Sequence, residues 1–258
     1  MTTGLCIAIV GAESTGKTQL ASALAPRLAR DTGLRVAWVP ELLREWCDHV
    51  GRTPQAHEQA AIVRGQHERI TAAAATHDIV VCDTTALMTA VYSRMIFGDD
   101  SLQARAVALH RRMAMTLLTA LDLPWVADGL QRDGPHVREP VDALLREWLS
   151  NHGLPWALVA GTGAARLEAA VDALAPLMGR ISLMRQMPRM PQTLQTLQTP
   201  LLPLARQAAP RPGTSPRSGS LFTRLQDRPS EALARKWRCE LCDDPACKRL
   251  PHDTVQPR

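Results

Sequence analysis

Gly11, Glu13, Ser14, Thr15, Gly16, Lys17 and Thr18 occur in an order suited to holding phosphate. Residues 11–18 read G-A-E-S-T-G-K-T, a glycine-bounded loop that ends in Lys-Thr. Two glycines let the backbone curl so that successive N–H groups point inward at phosphate oxygens. A helix starting at this point adds its free N–H groups and the positive end of its dipole. Lys17 would bring charge to the β- and γ-phosphates, and Thr18 a hydroxyl to Mg²⁺. The loop therefore calls for ATP and Mg²⁺ as cofactors. A chance glycine turn is the alternative, but it would not need the surroundings present here. The apolar run Leu5-Cys6-Ile7-Ala8-Ile9-Val10 precedes the loop, and Gln19-Leu20-Ala21-Ser22-Ala23-Leu24-Ala25 follows it. Lys17 is also the only lysine before Lys236, in a chain that otherwise takes its positive charge from arginine. The broad planar head of arginine fits poorly in so tight a loop.

Three further groups carry chemistry. Asp83 ends the apolar run Ile79-Val80-Val81-Cys82. A carboxylate there can hold Mg²⁺ with Thr18 or take a proton from a substrate hydroxyl. Its alternative role is to cap the helix that follows, and the two can coexist. Glu41 and Arg44 are one helical turn apart and share a face. They would dock a phosphate acceptor or form a surface ion pair. Residues 128–134, Asp128-Gly129-Leu130-Gln131-Arg132-Asp133-Gly134, have the composition of a lid, with Arg132 available to neutralise charge on a phosphoryl group in flight. A solvated loop is the other reading.

An alternation of strands and helices must bring these groups together. Strands are expected at 36–39, 79–82, 115–121 and 156–160, besides the one before the loop. Helices are expected from Glu41, over 55–76, from Leu87 to Phe97, over 102–112 and 141–149, and from Gly163 to about 178. Residues 128–138 read as a polar loop. This gives an α/β P-loop NTPase with a five-stranded parallel sheet flanked by helices, over residues 1–180. Ligands bind at the C-terminal strand ends in such sheets. The loop, Glu41, Arg44, Asp83, Asp128 and Arg132 all follow strands.

The remaining residues differ in kind. Residues 1–180 hold 17 Lys+Arg against 19 Asp+Glu, net −2, and residues 181–258 hold 13 against 6, net +7, which together give the +5 of the chain. Residues 181–230 carry eight prolines and a Leu-Gln-Thr repeat, and read as a disordered linker. Residues 231–258 form a basic tail. In it Cys239, Cys242, Cys247 and His252 are spaced C-x2-C-x4-C-x4-H, a ligand set that suits tetrahedral Zn²⁺. That spacing is like a zinc knuckle's with the last Cys and His types exchanged. Trp237 and its basic neighbours could then contact single-stranded nucleic acid or a protein. A frayed basic tail with reduced thiols is the alternative. Cys6, Cys47 and Cys82 read as small core fillers. No signal peptide or membrane span is expected, which puts the protein in the cytoplasm.

The motifs G-A-E-S-T-G-K-T, V-P-E-L-L-R-E, V-V-C-D-T-T and P-W-V-A-D-G-L-Q-R-D resemble the kinase domain of NadR-type proteins, the nicotinamide riboside kinases and their P-loop AAA-type relatives. The resemblance spans about residues 4–178 and does not include the cysteine-rich tail. It implies a nucleoside-monophosphate-kinase-like fold and ATP-dependent phosphorylation of a ribosyl 5′-hydroxyl on a small nucleoside-like substrate. Lys17 and Thr18 would then handle ATP·Mg²⁺. Glu41, Arg44 and Asp83 would face the acceptor, and Asp128 and Arg132 would belong to the lid. Lys17, Asp83, Glu41 and Arg132 would be the catalytic groups. Two positions depart from the family pattern. Thr85 stands where a second aspartate is frequent, which would remove a carboxylate from the acceptor side. Gln131 precedes Arg132 where an arginine often follows D-G-L directly. A regulatory module that senses ATP and contacts nucleic acid or a protein through its tail is the alternative function.

Overall fold

A computed structural model describes residues 4–126 and 134–186. The expected lid residues Asp128 and Arg132 lie outside the described residues. So do the linker from 187 onward and the cluster of Cys239, Cys242, Cys247 and His252.

Five parallel strands form one sheet in the order β2-β3-β1-β4-β5: β1 Leu5–Val10, β2 Val36–Val39, β3 Ile79–Asp83, β4 Met115–Thr119 and β5 Trp156–Val159. β1 pairs with β3 on one side and β4 on the other, with Ile9 opposite both Asp83 and Leu117. The three central strands are buried along their whole length because helices cover both faces. β2 is less covered: only Val39 is buried, and Trp38 is 40% exposed. An edge strand has one neighbour and incomplete cover, so its pattern is diluted. β5, at the other edge, behaves in the same way.

The helices are α1 Lys17–Thr32, α2 Leu42–Val50, α3 Gln59–Thr76, α4 Ala86–Phe97, α5 Gln103–His110, α6 Arg138–Asn151, α7 Gly163–Ala173 and α8 Met178–Gln186. Alternating residues of β1 divide the core. Leu5, Ile7 and Ile9 pack with Leu20 and Leu24 of α1 and with Ala170 and Ile181 of α7 and α8. Cys6, Ala8 and Val10 pack with Val63, Leu87, Leu145 and Trp148 of α3, α4 and α6. Cys6, Cys47 and Cys82 are buried free thiols, as core fillers should be.

Three boundaries differ from expectation. The long helix over 55–76 opens with a separate 3-10 turn, Ala56–Glu58, in which Gln55 and Glu58 cap one another. α6 starts at Arg138, inside the stretch read as a polar loop, and Arg138 is buried there. The turn Pro135–Val137 feeds the helix directly, so the charged residues at its start mark a helix end and not a loop. α8 carries the chain to Gln186, six residues beyond the expected boundary at 180, because Ile181 completes the core beside α1 and α7.

Thr85 does not face the acceptor side. It is buried at the N-cap of α4, where its hydroxyl accepts from the Leu87 N–H at 3.3 Å. The same oxygen lies 2.9 Å from His110 Nδ1, and His110 Nε2 lies 2.8 Å from the Thr116 hydroxyl. Residue 85 thus belongs to a buried network, and a carboxylate lost there is not lost from the cleft. Burial pushes the His110 imidazole down to about 4. The folded state holds it neutral, while the unfolded chain protonates near the ordinary histidine value of about 6.5. The unfolded state therefore takes up the proton first, and stability rises with pH across that window. As pH falls from 7 to 4, this histidine should cost on the order of 3 kcal/mol of stability. Urea unfolding at both pH values checks this, and His110→Asn should remove most of the difference.

Candidate active site

The phosphate-type loop connects β1 to α1 at the C-terminal edge of the sheet. Gly11 has φ +155, and a Cβ there would collide with the Thr119 hydroxyl. Gly16 has φ +74, and a Cβ there would sit 2.9 Å from Leu123 and 3.3 Å from the Arg166 guanidinium. Only glycine meets both demands. The loop is tied internally and to its neighbours. Thr15 donates to the Ala12 carbonyl at 2.7 Å and accepts from Thr119 at 2.7 Å. Ser14 exchanges two 2.9 Å hydrogen bonds with the backbone of Val126. The Lys17 ammonium donates to the Ala12 carbonyl at 2.8 Å. Glu13 is buried in the loop.

A cleft of about 470 Å³ opens beside the loop, with Lys17, Thr18, Glu41 and Arg44 among its walls. That volume falls in the range of small-molecule sites. Asp83 stands at the end of β3 with its carboxylate hydrogen-bonded to Thr18, and burial raises its pKa against the pull of that hydroxyl and of Lys17. Asp83 is not the helix cap; Thr85 is. Glu41, at the start of α2, is largely buried rather than a surface residue, with its side chain 12% exposed. It is hydrogen-bonded to Thr84, and burial raises its pKa while Lys17 opposes the shift. Arg44 is 3.9 Å from Glu41, a loose ion pair. Burial lowers the pKa of Lys17, while Glu41, Asp83 and Glu13 hold it up. One ammonium thus balances several carboxylates in a poorly solvated corner, where charges interact strongly.

The tertiary structure adds residues that the sequence reading passed over. Thr84 has φ +65, a left-handed conformation rare for a β-branched residue. Its N–H donates to the Ile9 carbonyl at 3.0 Å, and its hydroxyl meets Glu41, so the strained turn joins β1, β3 and α2. Strain of this kind gathers at functional sites. Arg166 in α7 is buried at 4% exposure and clamps the loop from below. Its guanidinium donates to the carbonyls of Thr15, Gly161 and Ala120 and pairs with Asp122. Asp122 in turn accepts from the Gly161 N–H at 2.6 Å. No local motif marks Arg166, because apart from Gly161 its partners are 44 to 151 residues away.

A hard divalent cation fits Thr18 and Asp83. Asp83 Oδ1 is buried and has no hydrogen-bond partner, and the Thr18 hydroxyl lies against the same carboxylate. Oxygen donors of this kind, few in number and completed by phosphate, suit Mg²⁺. Among the described residues no group of three or more His, Cys, Asp or Glu could hold a metal by itself, and no helix is long and apolar enough to cross a membrane.

Comparison with known proteins agrees with this architecture. Two solved structures of NadR proteins share the fold. One, in complex with NR, is 20% identical with a TM-score of 0.55, and the match covers 69% of this chain and 52% of that one. The other, in complex with NAD and AMP-PNP, is 20% identical with a TM-score of 0.51, covering 73% and 52%. The chain thus matches about half the length of each. No curated protein sequence matches it. A family described as AAA domain matches residues 6–166, from the first strand to the arginine beneath the loop. That match takes in more than half of the chain, and together with the strand order and the G-x-x-x-x-G-K-T loop it shows that this protein belongs to the AAA domain family, with the P-loop fold of the NadR proteins.

Proposed function

We propose that this protein is a kinase that transfers the γ-phosphate of ATP to a ribosyl hydroxyl of a nucleoside-like acceptor, of which nicotinamide riboside is the type. The observation that carries this reading is the second wall of the cleft. A mechanical ATPase needs only the phosphate loop and a water. Here α2 and α4 wall off a space beside the loop; the Glu41 carboxylate lines it, and the buried Asp83 carboxylate lies behind it against Thr18.

The residues divide the work as follows. The loop N–H groups and Lys17 hold the phosphates, and Lys17 meets the charge that develops on the transferred group. Thr18 and Asp83 would hold Mg²⁺, which would neutralise phosphate charge. Glu41, raised by burial toward the working range of a general base, takes the acceptor hydroxyl proton. Arg44 orients the acceptor, and Arg132 and Asp128 act as lid residues.

The test is a product assay with ATP·Mg²⁺ against a nucleoside panel that includes nicotinamide riboside, read by mass for a phosphorylated acceptor. ATP consumed at the same rate with and without every acceptor refutes the kinase reading and leaves an ATPase. The two carboxylates should separate in the same assay. Asp83→Asn should lower the rate about 100-fold and raise the Mg²⁺ concentration needed for half-saturation. Glu41→Gln should lower the rate by about as much without moving the Mg²⁺ requirement. In the wild type the rate should fall as pH drops through the raised pKa of Glu41, because the base is then protonated.

A further inference from the structure

The wall of the cleft opposite the phosphate loop comes from α2, the loop after it, the first residue of α3, and α4. It is mostly apolar, built from Leu43, Cys47, Pro54, Tyr92 and Ile96. Its charged side chains are Glu41 and Arg44, both at the start of α2. Cys47 adds no charge, since burial pushes its thiol up to about 12. One amide breaks the apolar surface. Gln59 opens α3, lines the cleft and is 2% exposed, and its Oε1 is buried with no hydrogen-bond partner.

An unpaired buried carbonyl oxygen costs about 1–3 kcal/mol. Local structure gives no reason for it. The turn before α3 is already capped by the reciprocal Gln55–Glu58 pair, and Gln59 is the first residue of α3 after it. A leucine would fill this position without the penalty. The oxygen is explained if a bound molecule brings a donor to it.

We propose that Gln59 determines acceptor specificity. Its Oε1 accepts a hydrogen bond from an N–H on the edge of a flat ring held among Cys47, Tyr92 and Ile96. The acceptor class is then a nucleoside whose base carries an amide, amino or lactam N–H. The same base carrying a carboxylate in place of that N–H is rejected, because its oxygens face another oxygen with no proton between them. This proposal rests on the reading of the cleft as an acceptor site, and it names what that site selects.

The experiment measures binding and turnover in parallel. Nicotinamide riboside and nicotinic acid riboside are titrated calorimetrically into the full chain, wild type and Gln59→Leu, and the same pairs are assayed with ATP·Mg²⁺. Wild type should bind the carboxamide at least tenfold more tightly than the carboxylate. Gln59→Leu should weaken carboxamide binding roughly 10- to 100-fold, as expected for one buried hydrogen bond, and largely erase the discrimination. The loss should appear in the acceptor Kd and KM and not in the KM for ATP. Equal binding of the two ribosides by the wild type overturns the proposal, and that comparison needs no variant to fold. So does a Gln59→Leu protein of unchanged thermal stability that keeps full discrimination, or the absence of binding by any nucleoside with a ring-edge N–H across a panel. Gln59-dependent binding without phosphorylation sustains the proposal and instead defeats the kinase reading.

Discussion

Replacing Lys17 with alanine is expected to lower acceptor-dependent phosphoryl transfer about 1,000-fold. The argument is electrostatic. The corner behind the loop holds Glu13, Glu41 and Asp83, all partly or wholly removed from water, and the Lys17 ammonium lowers the pKa values of Glu41 and Asp83, with Arg44 adding to it. A charge aimed at a developing anion in such a place is worth about 3–4 kcal/mol, or 10²–10³ in rate. Alanine removes that interaction and also leaves the carboxylates less compensated, so they hold protons more readily and repel phosphate when they do not. Both consequences lower the rate. The fold should survive, because the Lys17 side chain is held by one hydrogen bond, to Ala12, and lies outside both apolar clusters. Steady-state kinetics with circular dichroism as the control checks the prediction. A Lys17→Ala protein within tenfold of wild-type turnover would remove Lys17 from the catalytic machinery. Lys17→Arg should do little better, since a planar guanidinium does not substitute for a compact ammonium inside the loop.

The second large effect belongs to Arg166. Its guanidinium satisfies three backbone carbonyls from three segments, the loop, the end of β4 and the end of β5, besides its pair with Asp122. Arg166→Ala leaves those carbonyls without their donor and Asp122 without its cation. Removing one partner of a buried pair costs about 3–5 kcal/mol. Asp122 remains about a third exposed, which puts the expected loss near the lower end, about 3 kcal/mol. Urea unfolding should report this as a lower midpoint at unchanged slope. Nucleotide affinity should fall with it, because Arg166 holds the Thr15 carbonyl and so the curvature of the loop. Arg166 is a positioning residue, and the diagnostic is a rise in the KM for ATP that exceeds the rise for the acceptor. A purely structural arginine would lower stability and leave that ratio alone.

The parts of the site that were legible in the sequence share one property: their partners are near in the chain or at a strand end. The phosphate loop is a short motif between a strand and a helix, so its geometry follows from eight residues and their flanks. Glu41 and Asp83 follow apolar runs, and in a parallel sheet strand ends share one edge, so proximity to Lys17 followed from topology. Their burial did not. A Glu and an Arg one turn apart read equally well as a surface pair, and only the packing of α2 over the loop puts Glu41 in a poorly solvated place. Position 85 shows the opposite error. A residue two places after Asp83 reads as facing the same ligand, but the left-handed turn at Thr84 sends Thr85 into the core beside His110. A single positive φ reversed the direction of that side chain, and nothing in its residue type announces such a φ. The start of α6 at Arg138 was hidden for a related reason, since a charged first turn looks like a loop until the turn before it is seen.

By itself, the sequence determined the alternating α/β order, the phosphate loop, the strand-end carboxylates and the division of charge between the main domain and the tail. Each of these is written in local periodicity, residue type or composition. Only the tertiary structure decided that Arg166 and Thr119 hold the loop, that Thr84 joins two strands to α2, and that Gln59 presents an unpaired oxygen to the cleft. These are contacts between residues far apart in sequence. Whether a polar side chain meets water, a backbone carbonyl or a cleft depends on which distant segments fold over it, and that is set by the packing of the whole domain.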